Sequence, residues 1–169
     1  MIDLMPFCST DPYMWFIAHP FSRGTFTYAT NGCIIVRVPR RDGVPDGGVK
    51  DPDAVMSKLP TPTIPFPALV IPENIGPCPT CSGRGYKHDC EFCECDCEAC
   101  SGIGRIRATI IFFDVCFDAK YIKQIQSLPN VLVAKSVGEE AMAFSFDGGI
   151  GAVKPLRRRE GEVVVAVLT

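Results

Sequence analysis

Residues 78–85 read Cys-Pro-Thr-Cys-Ser-Gly-Arg-Gly, and residues 97–104 read Cys-Glu-Ala-Cys-Ser-Gly-Ile-Gly. Both are Cys-x-x-Cys-x-Gly-x-Gly. Two residues between cysteines let one tight turn aim both sulfurs at one ion. The glycines that follow tolerate positive φ and bring amides toward the thiolates. Two such knuckles supply four thiolates, from Cys78, Cys81, Cys97 and Cys100, which completes a tetrahedral Zn²⁺ shell. A closed shell has no position for water, so the spacing predicts a structural site. A redox Cys-x-x-Cys would need a thioredoxin-type βαβ context, which the flanking sequence lacks.

Between the knuckles lie His88, Cys90, Cys93 and Cys95. One zinc is expected, and these four are the candidate ligands of a second. Cys90 and Cys93 have knuckle spacing, Cys93 and Cys95 stand closer than is usual, and His88 reads equally as a solvated loop residue. Exchange of ligands among the crowded cysteines is a further alternative. The only apolar side chains from 78 to 104, cysteines aside, are Tyr86, Phe92, Ala99 and Ile103. That is too little to hold a module together by burial, so an ion must close it.

Seven of the ten cysteines fall between 78 and 100, a clustering that points to metal and not to a disulfide framework. Cys8, Cys33 and Cys116 stand apart and read as small buried hydrophobes. No apolar run approaches the roughly 18–20 residues of a membrane span. The start, Met1-Ile2-Asp3, has an acid where a signal peptide carries basic residues. A cytoplasmic protein with reduced thiols and no membrane partner is expected.

The rest of the chain reads as sheet with little helix. Residues 15–38 read as β structure, with Asn31-Gly32 as the type I′ turn of a hairpin and Ile34, Val36 and Val38 on one buried face. Ten of the fifteen prolines lie from 39 to 79, leaving room for one short helix over 53–58 and one strand over 68–71. Residues 105–117 read as one long central strand, apolar on both faces. Asp118 suits the N-cap of a helix over 119–128 whose Tyr121, Ile122, Ile125 and Leu128 face a core. Strands follow at 131–134, 141–146, 150–155 and 163–168, with Asp147-Gly148-Gly149 as a tight turn. The pattern predicts an α+β fold, a mainly antiparallel sheet with one or two helices on one face. Residues 1–77 and 105–169 form that domain, and 78–104 form a zinc-binding module inserted in it.

Catalytic signatures are missing: no Gly-x-Ser-x-Gly elbow, P-loop, dinucleotide fingerprint or His-Glu-x-x-His occurs. Asp114 and Asp118 could make a carboxylate pair, but capping accounts for Asp118. His19, between Phe16 and Phe21, reads as a partly buried structural histidine. The expectation is that the protein is not an enzyme. Lys and Arg number 17 against 19 Asp and Glu, a net charge of −2, so no global field asks for nucleic acid. Local basic clusters do occur, at Arg37, Arg40 and Arg41, at Arg105 and Arg107, and at Arg157, Arg158 and Arg159. If they share a face they bind phosphates; otherwise they are solvated turns. The segment between the knuckles is acidic: Arg84 and Lys87 face Asp89, Glu91, Glu94, Asp96 and Glu98, so it should repel phosphates and suit a basic protein surface.

The doubled Cys-x-x-Cys-x-Gly-x-Gly resembles the cysteine-rich zinc domain of DnaJ-type (Hsp40) co-chaperones, over 78–104. That family carries four repeats and a His-Pro-Asp motif. Here there are two repeats, and His19-Pro20 is followed by Phe21, so co-chaperone work does not carry over. Residues 13–169 look like part of a DNA sliding clamp. Residues 28–38, Tyr-Ala-Thr-Asn-Gly-Cys-Ile-Ile-Val-Arg-Val, are similar to the Ala-Thr-Asp-Gly-His-x-Leu hairpin of bacterial clamps. Phe117-Asp118-Ala119-Lys120-Tyr121-Ile122 and Phe146-Asp147-Gly148-Gly149 suit the clamp's β-α-β-β-β unit. The combination resembles uncharacterised small phage and bacterial proteins with a zinc knuckle in such a domain. These resemblances imply a non-enzymatic zinc-binding interaction protein associated with DNA or replication machinery. The alternative is a phage-type inhibitor of a host defence system, such as CRISPR, that meets a protein target through the acidic zinc loop. A protein partner is expected in both, with DNA a second partner in the first. The candidate contact residues are Arg157, Arg158 and Arg159, or Glu91, Glu94 and Glu98. A clamp ring needs six such domains, so a chain with one would have to oligomerise.

Overall fold

The structure is a computed structural model. It describes residues 1–72, 76–90, 93–100, 102–106, 108–136, 138–157 and 163–168, and for 87–90 and 93–94 the backbone alone. The chain begins with two 3₁₀ turns, Met5–Phe7 and Pro12–Ile17. It continues through β1 (Phe21–Arg23), β2 (Phe26–Thr30), β3 (Ile34–Pro39), α1 (Asp53–Met56), β4 (Ile64–Pro65), β5 (Tyr86–Cys90) and β6 (Cys93–Asp96). Then follow β7 (Ala108–Phe112), β8 (Val115–Asp118), α2 (Ala119–Gln126), β9 (Leu132–Val133), β10 (Met142–Phe146), β11 (Gly149–Val153) and β12 (Val163–Leu168).

The architecture is α+β. A seven-stranded antiparallel sheet has the order β1-β2-β3-β11-β10-β9-β4. A three-stranded sheet, β12-β7-β8, pairs β12 with β7 in parallel and β7 with β8 antiparallel. One core joins the two sheets and α2, from Ile34, Val36 and Val38 of β3 to Phe144 of β10, Phe112 of β7 and Phe117 of β8. α2 is held at its start by Asp118, whose carboxylate accepts from the Lys120 amide at 3.0 Å. Its Tyr121, Ile122 and Ile125 are buried while Lys120 and Lys123 face solvent. This is the one-sided helix that the spacing predicts. A smaller cluster of Ile17, Phe21 and Tyr28 covers the opposite face of the large sheet, with Ile35 packed against it.

Six local expectations are corrected. The run 105–117 is a hairpin: Phe113 and Asp114 take φ of +49° and +68°, so Phe112 pairs with Val115 and the chain doubles back. A Phe-Asp turn carries none of the usual Asn-Gly chemistry, and the apolar flanks hide it. β7 does sit centrally in its sheet. The turn at Asn31-Gly32 is a wider loop in which only Gly32 has positive φ. There the Asn31 side chain accepts from the amides of Cys33 and Ile34 at 3.0 and 3.1 Å, an Asx arrangement. Residues 15–17 belong to a 3₁₀ turn started by Asp11, which accepts from the Tyr13 amide, with Pro12 behind it. Residues 68–71 form no strand; the strand of the proline-rich segment is β4. His19 is exposed. Of the three outlying cysteines Cys8 is buried, Cys116 half-buried and Cys33 exposed. No helix among the described residues is long and apolar enough to cross a membrane.

Candidate metal centre

The chain enters and leaves the cysteine segment side by side. Pro77 bridges Arg105 in antiparallel fashion, and the Ile106 amide donates to the Gly76 carbonyl at 3.2 Å. Beyond that point the two knuckles share three pairs of equivalent backbone bonds. Cys78 donates its amide to the Gly104 carbonyl at 2.9 Å, and Cys97 donates to Gly85 at 2.8 Å. Gly83 donates to Cys78 and Gly102 to Cys97, each at 3.2 Å; Arg84 donates to Cys81 and Ile103 to Cys100, each at 3.1 Å. The repeat in the sequence has become a local pseudo-two-fold axis.

Four cysteine sulfurs come together between the knuckles. The Sγ atoms of Cys78, Cys81, Cys97 and Cys100 lie within 4.8 Å of one another and all four residues are buried. Cys78 Sγ is 3.9 Å from Cys97 Sγ, and Cys81 Sγ is 3.8 Å from Cys100 Sγ. A regular tetrahedron with metal–sulfur bonds of about 2.3 Å has edges of about 3.8 Å, so the spacing fits an ion such as zinc at its centre. These cysteines are free thiols. The cluster can therefore hold a metal ion.

The glycines explain why the motif needs them. Gly85 donates its amide to Cys81 Sγ and Gly104 to Cys100 Sγ, each at 3.2 Å. Such bonds stabilise thiolate charge. A Cβ on Gly85 would strike the Gly102 carbonyl, and one on Gly104 the Gly83 carbonyl. Both glycines also have positive φ, +85° and +73°. The backbones of the knuckles thus approach too closely for any side chain. Backbone amides of Cys81 and Thr80 bring the Cys78 thiol down to about 7. Burial pushes the Cys100 thiol up to about 11, so its ionisation calls for a cation beside it.

The other candidates are placed differently. β5 and β6 form a hairpin between the knuckles, with Cys90 opposite Cys93 and Lys87 opposite Cys95. Cys95 is exposed. The side chains of His88, Cys90, Cys93 and Glu94, with Glu91, Arg107, Arg158 and Arg159 entirely, lie outside the described residues. Glu98 is exposed. Arg157 is exposed and pairs with Glu139 at 3.2 Å.

The basic cluster of the first half is largely neutralised. Arg37 bonds Asp53 at 2.8 Å and Arg40 bonds Asp46 at 2.9 Å. Asp53 also accepts from the Tyr28 hydroxyl at 2.7 Å, and the Arg37 guanidinium stacks over Phe26, 4.2 Å from the ring centre. This network pins α1 to β2 and β3. Sequence reasoning missed it, because it joins residues from three elements with no shared motif.

No family model matches the chain, and neither the curated proteins nor the solved structures offer a significant match.

Proposed function

We propose that this protein is a non-enzymatic, zinc-stabilised interaction protein whose sheet domain, similar to part of a sliding clamp, associates with DNA or replication machinery. The observation that carries the zinc reading is the gathering of four buried sulfurs within 4.8 Å of one another, with two of the pairs at 3.8 and 3.9 Å. Four thiolates leave no coordination position for water, which supports a structural role over a catalytic one. Zinc there would hold residues 78–104 as a unit, inserted between 1–77 and 105–169, and would supply the cohesion that the segment's few apolar side chains cannot. The DnaJ-type likeness rests on the doubled motif. The clamp likeness rests on the order β8-α2-β9-β10-β11, a strand, a helix and three strands. A second zinc on His88, Cys90, Cys93 and Cys95 belongs to the same proposal, with Cys90 and Cys93 facing each other across the β5–β6 hairpin.

The alternative is a phage-type inhibitor of a host defence system that contacts its target through the acidic loop between the knuckles. The exposure of Asp96 and Glu98 favours it. So does the engagement of Arg37, Arg40 and Arg157 in ion pairs, which leaves less free cationic surface for phosphate.

Charge reversal separates the two. In the first reading, Arg157→Glu with Arg158→Glu and Arg159→Glu abolishes binding of duplex DNA measured by fluorescence anisotropy, and wild-type affinity falls steeply with salt. In the second, the wild type shows no such binding. Lysine substitutions at Glu91, Glu94 and Glu98 then release a protein captured by the wild type from host lysate. Zinc content by elemental analysis, one or two per chain, tests the part common to both.

A further inference from the structure

The two faces of the seven-stranded sheet are furnished differently where β10 meets β11. Met142 pairs with Val153, and both are buried in the main core with Phe144. Side chains alternate along a strand, so Ala143 and Ala152 take the other face. They pair with each other, and Ala152 pairs in turn with Ile35 of β3. The cluster of Ile17, Phe21 and Tyr28 covers that face over β1 and β2. Toward β11 the cover stops, and the small side chains of Ala141 and Ala152 floor an open pocket of about 470 Å³.

The lining residues are all among the described ones, and the walls are apolar. Met14, Phe16 and Ile17 come from the second 3₁₀ turn, and Val49 and Val55 from the segment that leads into α1. Phe16 and Val55 are 42 % and 46 % exposed. Four polar side chains also line the pocket, those of Thr30, Cys33, Asp51 and Lys154. Thr30 is engaged: its hydroxyl donates to the Ile34 carbonyl at 2.7 Å and accepts from the Gly32 amide at 3.1 Å. Asp51 is engaged at the head of α1, where it accepts from the Ala54 amide at 3.1 Å. Lys154 is the one cation of the lining, and among the described residues it has no ion-pair partner. It stands two residues beyond Ala152 on the same face, and its amide donates to the Cys33 carbonyl at 2.8 Å. An apolar hollow of this size with a few convergent polar groups has the form of a small-ligand site.

We propose that this pocket binds a small amphiphilic carboxylic acid, with its apolar body on the alanine floor and its carboxylate on Lys154. Charge selects the ligand class. A purely apolar molecule would cover Phe16 and Val55 but leave the Lys154 ammonium unpaired beside it. A cationic amphiphile would meet Lys154 as a like charge and find Asp51 already bonded to α1. A carboxylate gains a charge-assisted hydrogen bond from Lys154, while its chain takes the apolar walls out of water. The lining draws on no residue of 78–104, so the site stands whether or not the cysteines bind zinc.

The experiment titrates the full chain with decanoate, decyltrimethylammonium and decanol, each below any micelle-forming concentration. Binding is read by calorimetry and by the fluorescence of Trp15, the chain's single tryptophan, whose ring meets Phe16 edge-on at 6.1 Å between centres. Decanoate should bind saturably, one per chain, and about tenfold or more tighter than decyltrimethylammonium. Lys154→Gln, at an exposed position, should weaken decanoate about tenfold and leave decanol unchanged. A further readout needs no variant to fold. Bound decanoate should slow alkylation of the exposed Cys33 by N-ethylmaleimide and spare the rate at the exposed Cys95. No saturable binding of decanoate overturns the proposal, as does equal affinity for the cationic chain. So does unslowed alkylation of Cys33, or a Lys154→Gln protein that keeps both the wild-type melting temperature and the wild-type affinity for decanoate. Protection of Cys33 by raised protein concentration alone assigns the pocket to a second copy of the chain and overturns it as well.

Discussion

The amide of Cys97 donates to the carbonyl of Gly85 across 2.8 Å, tying the first residue of the second knuckle to the last residue of the first. The reciprocal bond, from Cys78 to Gly104, does the same at the other end. The cysteine centre is therefore two interlocked loops.

Interlocking makes the glycines as necessary as the cysteines. Gly85→Ala leaves every sulfur in place but drives a methyl into the Gly102 carbonyl. It should lower metal content about as much as loss of a ligand, whereas Gly43→Ala, with open space around its Cβ, should leave it at the wild-type level. Elemental analysis of the two purified variants checks this; full metal occupancy in Gly85→Ala would show that the loops can separate.

Removing the metal should unfold the segment and spare the sheets. The main core draws on none of the four cysteines, which form a cluster of their own. Treatment with EDTA under reducing conditions, or Cys81→Ser, should abolish amide protection within 78–104 and keep the β-sheet circular dichroism. A global loss of sheet signal would mean that the body depends on the module.

The core should answer to truncation on α2. Ile125 is fully buried in the main core, and Ile125→Ala should cost about 2–5 kcal/mol in urea denaturation. Lys123→Ala, on the exposed side of the same helix, should stay within about 0.5 kcal/mol.

Stability should fall at both ends of the pH range through one network. Hydrogen bonds from Tyr28 and then Arg37 hold the Asp53 carboxyl below its ordinary 3.8. Its contribution is present above about pH 4 and is lost as pH falls through the folded value. Burial, and then the bond to Asp53, push the Tyr28 hydroxyl up to about 12 from 10.0. Its contribution is present below pH 10 and is lost as pH rises toward 12. Asp53 is half exposed, so Asp53→Asn should cost no more than about 1 kcal/mol near neutrality. It should flatten the acid limb of a melting-temperature profile; an unchanged acid limb would assign that limb to other carboxylates.

Local chemistry was readable wherever a short stretch of chain settles its own geometry. The knuckles are of this kind: ligand spacing and the glycines lie within eight residues of each other, and the turn they specify is the turn that forms. The Asp118 cap and the apolar stripe of α2 are legible for the same reason, since 3.6-residue periodicity and an N-terminal acceptor are both local signals. The turn at Phe113-Asp114 was not. Asp tolerates positive φ but Phe has no preference for it, and Phe113 adopts it because β7 and β8 gain a paired edge and bury Phe112 and Phe117 when the chain reverses there.

Identity and spacing along the chain thus specified the four-cysteine cluster, the helix and its cap, and an α+β body rich in antiparallel strands. Tertiary structure decided which strands became neighbours. It placed β12 parallel to β7, drew Asp53 onto Tyr28 and Arg37, and drew Arg37, Arg40 and Arg157 of two basic clusters into ion pairs. Those outcomes depend on contacts between residues far apart in sequence. Their energies come from burial and charge pairing that exist only once the chain has closed on itself.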